Sequence, residues 1–331
     1  MTRAAALSAA FASLFAEPVK RIPVGGQAVI EGVLMKGPEH WGLAVRQPDG
    51  KIYTETWLGS DWIKKGIWKK PVFRGFATMV EMMRIGMRAL SKSADISLGE
   101  EENISPFETA ISIAAALVGV VFFFLALPMF LSEFIAEHFS LSSAAENVIE
   151  GVLRGVIFVG YVAAISMWKD IRRVFEYHGA EHKTINAYES GVRVTPESAA
   201  GFSRIHRRCG TSFLLIVIIV SIIVFSFVGK GSIVWRVGSR VVLLPLVIGL
   251  SYEFIRGASN SESWGKYCIM PALTLQYVTT REPSQDQLEV AIAALDAALE
   301  DKQIDPNETV IDSERENKVL TSGGAENGTD R

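Results

Sequence analysis

The chain has 331 residues, of which 49% are hydrophobic and 21% charged, with a mean hydropathy of +0.25 and a net charge of −3. This composition is too apolar for an average soluble protein and too charged for a bare bundle of membrane spans, so it predicts a membrane domain with substantial soluble parts. The near-neutral charge gives no indication of a nucleic-acid partner. Two cysteines, Cys209 and Cys268, exclude a disulfide framework.

The N-terminal region, residues 1–105, is predicted to be a small cytoplasmic region that contains β-strands. Helical spacing of apolar residues within 1–21 predicts an amphipathic surface helix, with a signal peptide as the alternative. The stretch GGQAVIEGVLM, 25–35, alternates as one strand, and Pro48-Asp49-Gly50 predicts the turn of a following hairpin. Residues 60–98 are predicted to be helical after a break at Pro71.

Four apolar segments predict a mainly α, polytopic membrane protein with about four transmembrane helices in a domain spanning residues 106–282. A span requires about 20 mostly apolar residues. Buried helices of a soluble core are the alternative. The segments are 107–131, 148–168, 211–229 and 241–257.

The distribution of basic residues predicts the orientation of these segments. Lys and Arg are frequent before residue 105 and in the connection 169–210, and they are absent from the connection 132–147. Positive charge remains on the cytoplasmic side of a membrane. We therefore expect a multi-pass protein of the inner (cytoplasmic) membrane with both termini in the cytoplasm.

The C-terminal region, residues 283–331, begins with a predicted amphipathic helix. Ser284 starts SQDQLEVAIAALDAALED, in which leucines and an isoleucine recur on one side. Residues after about 302 are polar and are predicted to be disordered.

The stretch YHGAEHK, 177–183, carries the most specific chemical pattern. His178 and His182 are four residues apart, which puts both imidazoles on one face of a helix, with Glu181 beside them. This H-x-x-E-H pattern matches zinc peptidases in which two histidines bind the metal and a glutamate acts as the general base. It predicts a divalent metal, zinc above all, with Glu181 as the catalytic base. A solvated helix face is the alternative.

Three further residues are candidate metal ligands on the same predicted membrane face. His206 and Cys209 have a spacing suited to metal ligation, and Glu253 lies near the end of an apolar segment, where ionisable groups are usually functional. An ion pair is the alternative for Glu253, and a small buried residue for Cys209. The sequence leaves two kinds of site as alternatives. In a structural site, the three histidines and Cys209 would supply all four ligands; in a catalytic site, two histidines and one carboxylate would leave one coordination position free.

Long motifs such as EYHGAEHKTINAYE (176–189) and HRRCGTSFLL (206–215) occur in order from about residue 20 to 300. Together they resemble the bacterial DUF1385 family, also called YqhQ-like. The resemblance implies an integral membrane protein that is metal-dependent, with no assigned reaction. Family members commonly have proline where this chain has Arg207. The other motifs include GGQAVIEGVLMKGP (25–38) and LQYVTTREPSQDQLEVAIAAL (275–295).

Two functions follow as hypotheses. The first is a metal-dependent, hydrolase-like enzyme with its site at the cytoplasmic membrane face. The alternative is a non-catalytic factor for membrane-protein insertion or assembly, in which the N-terminal region and the C-terminal helix bind partners. The lipid bilayer is an expected partner of both, other membrane proteins are partners of the second, and nucleic acid is expected for neither.

Overall fold

A computed structural model of the chain describes residues 22–98, 106–229, 231–259 and 264–299. The predicted helix within residues 1–21 and the predicted disorder after residue 302 lie outside the described residues.

A four-stranded antiparallel sheet forms the first part of the described chain, with its strands in sequence order. The stretch 25–35 is two strands, so the prediction of one alternating strand is wrong. Val29 pairs with Gly32, and the chain reverses at Ile30 and Glu31, where Glu31 has a φ of 51°. The hairpin predicted at Pro48-Asp49-Gly50 is confirmed. The strands are β1 Gly25–Val29, β2 Gly32–Lys36, β3 His40–Arg46 and β4 Ile52–Leu58.

One face of the sheet packs against helix α1, Phe73–Leu98. Alternate side chains of a strand point to opposite faces, so every second residue of β3 enters this core. The residues buried there are Val29, Leu34, Trp41, Leu43, Val45, Trp57, Ile85 and Ala89.

The last described helix, Gln285–Leu299 (called α10 below), packs against the sheet at Gly42 of β3. A Cβ at Gly42 would lie 2.4 Å from the carbonyl oxygen of Ala294, so only glycine permits this approach. Leu288 and Leu295 are fully buried. The predicted helix is confirmed, but its apolar side is part of the core and is not a free surface for a partner.

In the part of the chain that the structure describes, three helices are long and apolar enough to cross a membrane. They are Ala114–His138, Ser143–Ile165 and Val234–Ser259. The apolar helix Gly210–Ser226 has 17 residues, or about 26 Å, which is shorter than a hydrocarbon core of about 30 Å. The predicted count of four spans is therefore not confirmed.

Helix α5, Lys169–Glu189, is buried over most of its second half. It packs against β1 and β2. A further helix, α9 Trp264–Thr279, contains Pro271 and packs against α7, Gly210–Ser226, and α8, Ile233–Ser259. The helices after α1 are α2 Pro106–Val121, α3 Leu127–His138, α4 Ser143–Ile165, α5 Lys169–Glu189, α6 Pro196–Ala200, α7 Gly210–Ser226, α8 Ile233–Ser259 and α9 Trp264–Thr279, with a π-helical turn at Phe122–Ala126 between α2 and α3.

Candidate metal centre

His178 and His182 lie one turn apart on α5, with ring centroids 4.4 Å apart. Gly179 between them permits a close crossing by the chain that follows α9. A Cβ at Gly179 would lie 2.0 Å from the carbonyl oxygen of Arg281, whose own amide donates to the carbonyl of Phe175 at 2.8 Å. The glycine that interrupts an otherwise helix-favouring motif is thus required by this crossing.

Both imidazoles are oriented by backbone carbonyls. His178 Nδ1 is 2.8 Å from the carbonyl oxygen of Thr279, and His182 Nδ1 is 2.6 Å from that of Arg204. A carbonyl oxygen only accepts, so each Nδ1 carries the proton and each Nε2 retains its lone pair. His182 Nε2 is buried and has no hydrogen-bond partner among the described residues. Metal-binding histidines are commonly oriented in this way.

Cys209 completes a cluster of three ligand-type side chains. Its Sγ is 3.3 Å from His178 Nε2, and one ligand atom from each of His178, His182 and Cys209 lies within 4.8 Å of the others. Burial by itself raises the pKa of the Cys209 thiol, but the proximity of His182 and a hydrogen bond with Thr211 outweigh burial and hold that pKa below its usual value. The thiolate, which is the form that binds metals, is therefore favoured.

Glu181 is buried beside the cluster and only 4% exposed. Its Oε2 has no hydrogen-bond partner, and burial raises the pKa of its carboxyl to about 8. Strand β1 covers the carboxylate at Gly26, where a Cβ would lie 3.1 Å from Oε1. Glu181 is thus a buried carboxyl group with no paired cation among the described residues, and its raised pKa favours the protonated form at neutral pH.

His206 lies next to His182 but outside the cluster. Their ring centroids are 5.7 Å apart, and His206 Nε2 is 3.5 Å from Glu189 Oε2. Its backbone amide donates to Gln276 Oε1 at 2.9 Å. Burial lowers the pKa of His206 to about 4, so the ring is neutral at pH 7.

The structure does not bring Glu253 into the cluster. Its carboxylate accepts from Arg74 Nε at 2.6 Å and from the Val72 amide at 3.3 Å. Helix α1 packs along α8 here, because Gly75 lets the helix approach Tyr252 closely. Arg74 contacts both carboxylate oxygens of Glu253. Glu253 therefore forms an ion pair, as the alternative interpretation of the sequence had it, and its partner comes from the N-terminal region.

Arg204, Thr279 and Gly26 position the cluster, and no sequence pattern indicated this role. The carbonyls of Arg204 and Thr279 carry no side-chain signal, so no pattern could have identified them. Gly26 and Thr279 lie inside motifs that were recognised, but their roles depend on the packing of β1 and of the end of α9 around α5.

Two imidazoles and a thiolate form a donor set that suits Zn²⁺. The fold and this cluster together define a class of protein in which membrane-length apolar helices carry a sheet-containing region with a buried His₂Cys centre.

The family model "Protein of unknown function (DUF1385)" matches residues 70–301, and the chain belongs to that family. The chain is 35% identical over 309 residues to "Uncharacterized protein YqhQ" of Bacillus subtilis (strain 168), with 87% of this chain and 97% of the relative covered. No solved structure matches the chain.

Proposed function

We propose that this protein is a membrane-integrated, metal-dependent enzyme of the hydrolase type, with zinc held by His178, His182 and Cys209. The observation that carries the proposal is the orientation of the two imidazoles. Both Nδ1–H groups donate to backbone carbonyls, and His182 Nε2 is buried with no partner in the part of the chain that the structure describes. A buried acceptor without a partner is costly, and a bound cation would satisfy it.

The number of converging ligands supports a catalytic site over a structural one. Structural zinc sites have four protein ligands, whereas catalytic sites have three and one open position. His206, the fourth ligand of the closed alternative, contacts Glu189 instead. When bound, the metal would supply a Lewis acid that lowers the pKa of water at the open position.

Glu181 is the proposed general base. It lies next to His182 in the chain, is buried, and has an oxygen with no hydrogen-bond partner in the described structure. A cation bound at the cluster would favour the ionised form of this carboxyl, which could then take up the proton of an activated nucleophile and later release it to a leaving group. The backbone at Gly26 restricts the movement of this side chain.

The proposed location is the cytoplasmic face of the inner membrane. Cys209 is the residue immediately before apolar helix α7, and Thr279 is the last residue of α9, so the centre lies at the ends of apolar helices. The connection 169–210, which contains both histidines, is rich in Lys and Arg. Such a connection stays in the cytoplasm, and both termini are cytoplasmic when α7 crosses the membrane as a fourth span.

Metal analysis of the purified full-length protein tests the metal proposal. We expect about one zinc per chain, lost in the His178→Ala/His182→Ala variant and reduced in Cys209→Ser. His206→Gln and Cys268→Ser are the matched controls, and both should retain the metal. Absence of stoichiometric metal, or unchanged metal in the double variant, would overturn the proposal.

A second variant separates catalysis from metal binding. Glu181→Gln keeps the shape of the side chain and should retain the metal, but it should fail to complement a strain that lacks the protein. Full complementation by Glu181→Gln would reject the catalytic role while leaving the metal site in place.

A further inference from the structure

Residues 61–73, which lie in the connection between β4 and α1 and include the first residue of α1, expose apolar and basic side chains together; we call them the Lys–Trp segment. The segment forms two short 3₁₀ turns, Asp61–Lys64 and Gly66–Lys69. Trp62 packs edge-on against Trp68, with ring centroids 5.6 Å apart. Three large apolar side chains are substantially exposed: Trp62 at 38%, Ile67 at 46% and Phe73 at 45%.

The end of this segment is attached to α8, one of the three membrane-length helices. Val72 packs directly on Gly249, where a Cβ would lie 2.4 Å from the Val72 carbonyl oxygen. The Val72 amide also donates to Glu253 Oε1 at 3.3 Å. In α8, Gly249 follows the apolar run VVLLPLVI, and Glu253 is the first charged residue after that run. The segment is therefore held where α8 passes from apolar to charged.

Three lysines of the segment have no ion-pair partner in the described part of the chain. Lys64 differs, because its Nζ lies 2.6 Å from Glu39. The unpaired lysines are Lys65, Lys69 and Lys70, and all three are exposed.

We propose that the Lys–Trp segment binds anionic phospholipid headgroups of the membrane that α8 crosses. Tryptophan is enriched at the boundary between headgroups and hydrocarbon, and lysine extends its ammonium group toward phosphates while its alkyl chain remains in an apolar layer. The segment presents both residue types at the depth where α8 becomes charged. Its net positive charge selects anionic over zwitterionic lipid. This proposal requires α8 to cross a membrane, but it is independent of the metal site.

Lipid binding to the full-length protein in detergent tests the proposal. The probes are short-chain phosphatidylglycerol and phosphatidylcholine, and bound lipid is measured by native mass spectrometry. Since a lysine near an anionic surface contributes about a fivefold factor, Lys65→Gln/Lys69→Gln/Lys70→Gln should bind phosphatidylglycerol roughly a hundredfold more weakly. Phosphatidylcholine binding should not change.

The matched control removes the same charge from exposed positions elsewhere, Lys51→Gln/Arg88→Gln/Arg193→Gln. It should bind phosphatidylglycerol like the unmodified protein. An equal loss in the control, or no loss in the lysine variant, would overturn the proposal. So would equal binding of the two lipids by the unmodified protein, which would indicate apolar contact alone.

A second measurement tests the depth of the aromatic residues. In bilayers that contain lipids brominated near the headgroup, Trp62→Phe/Trp68→Phe should reduce the quenchable part of the tryptophan fluorescence. Trp41→Phe, which replaces a buried tryptophan of the sheet, is the control and should leave the quenchable part unchanged. Unchanged quenching in the first variant would show that the segment does not reach the membrane.

Discussion

Glu253 and Arg74, 179 positions apart, form a two-point ion pair that joins the N-terminal region to a membrane-length helix. Arg74 Nε donates to Glu253 Oε1 at 2.6 Å, while Arg74 Nη2 donates to the other carboxylate oxygen. The side chain of Arg74 is 30% exposed and that of Glu253 is 24% exposed.

Glu253→Gln should therefore leave metal content unchanged and lower thermal stability. Bidentate arginine–carboxylate pairs are stronger than single surface ion pairs, so a double-mutant cycle with Arg74→Gln should give a coupling of roughly 1 kcal/mol. Thermal unfolding in detergent supplies the four stabilities. Loss of zinc in Glu253→Gln would instead make this residue a ligand.

Gly179→Ala should destabilise the metal centre. The added methyl group would collide with the carbonyl of Arg281 and displace the chain that positions Thr279, whose carbonyl orients His178. We expect weaker zinc binding and a lower melting temperature, measured by metal titration and thermal unfolding. Gly160→Ala is the control, because a Cβ at Gly160 meets nothing within 4 Å. Tight zinc binding by Gly179→Ala would mean that the crossing does not position the histidine.

Gly42→Ala should release α10 from the sheet. Its Cβ would lie 2.4 Å from both the Ala294 carbonyl oxygen and the Ala298 amide nitrogen, and backbone cannot yield as a flexible side chain can. Overpacking of this kind costs about 1–3 kcal/mol. Protease protection and thermal unfolding report the loss, with Gly25→Ala as a control whose Cβ has open space. Unchanged protection of α10 would contradict the close packing.

Glu150 should be among the most sensitive positions of the apolar helices. Its carboxylate accepts from Arg154 Nη2 at 2.6 Å and from Arg240 Nε at 3.2 Å, and only 2% of its side chain is exposed. Removing one partner of a buried ion pair leaves charges unpaired and costs about 3–5 kcal/mol. Glu150→Ala should therefore lower folded yield and thermal stability strongly. Glu137→Ala, at an exposed position of α3, should have little effect, and equal stability of the two variants would count against the network.

Glu55 should make the stability of the sheet sensitive to acid. Burial opposes its charge, but hydrogen bonds from Lys92, Trp57 and Tyr53 outweigh burial and lower its pKa to about 2. Because the folded-state pKa is the lower one, this stabilisation is complete above the usual pKa of about 4.5 and is lost as pH falls toward 2.

The loss of stability between pH 5 and 3 should be smaller in Glu55→Gln than in the unmodified protein, by roughly 1–2 kcal/mol after allowance for solvent screening. Thermal unfolding across this range measures the difference. Asp170→Asn, at an exposed carboxylate of α5, should leave the pH profile unchanged. Identical profiles for all three proteins would contradict the ion-pair role of Glu55.

Local patterns predicted the features that depend on neighbouring residues. Pro48-Asp49-Gly50 predicted a hairpin correctly, since a turn needs particular backbone angles at adjacent positions. The four-residue spacing of His178 and His182 predicted imidazoles on one helix face. The sequence did not predict the reversal at Ile30 and Glu31, because these residue types are unusual in a turn. In the structure, Arg173 and Tyr177 of α5 contact the Glu31 side chain.

By itself the sequence determined the helical character of the chain, the apolar segments and the pair of histidines on α5, because each follows from periodicity or composition along a continuous stretch. Only the tertiary structure decided that Cys209 meets His178 and that Glu253 meets Arg74. The physical reason is that a carboxylate or thiol takes whichever partner the packing of distant elements brings within reach. That packing depends on close approaches at Gly75 and Gly179, which no local pattern reports.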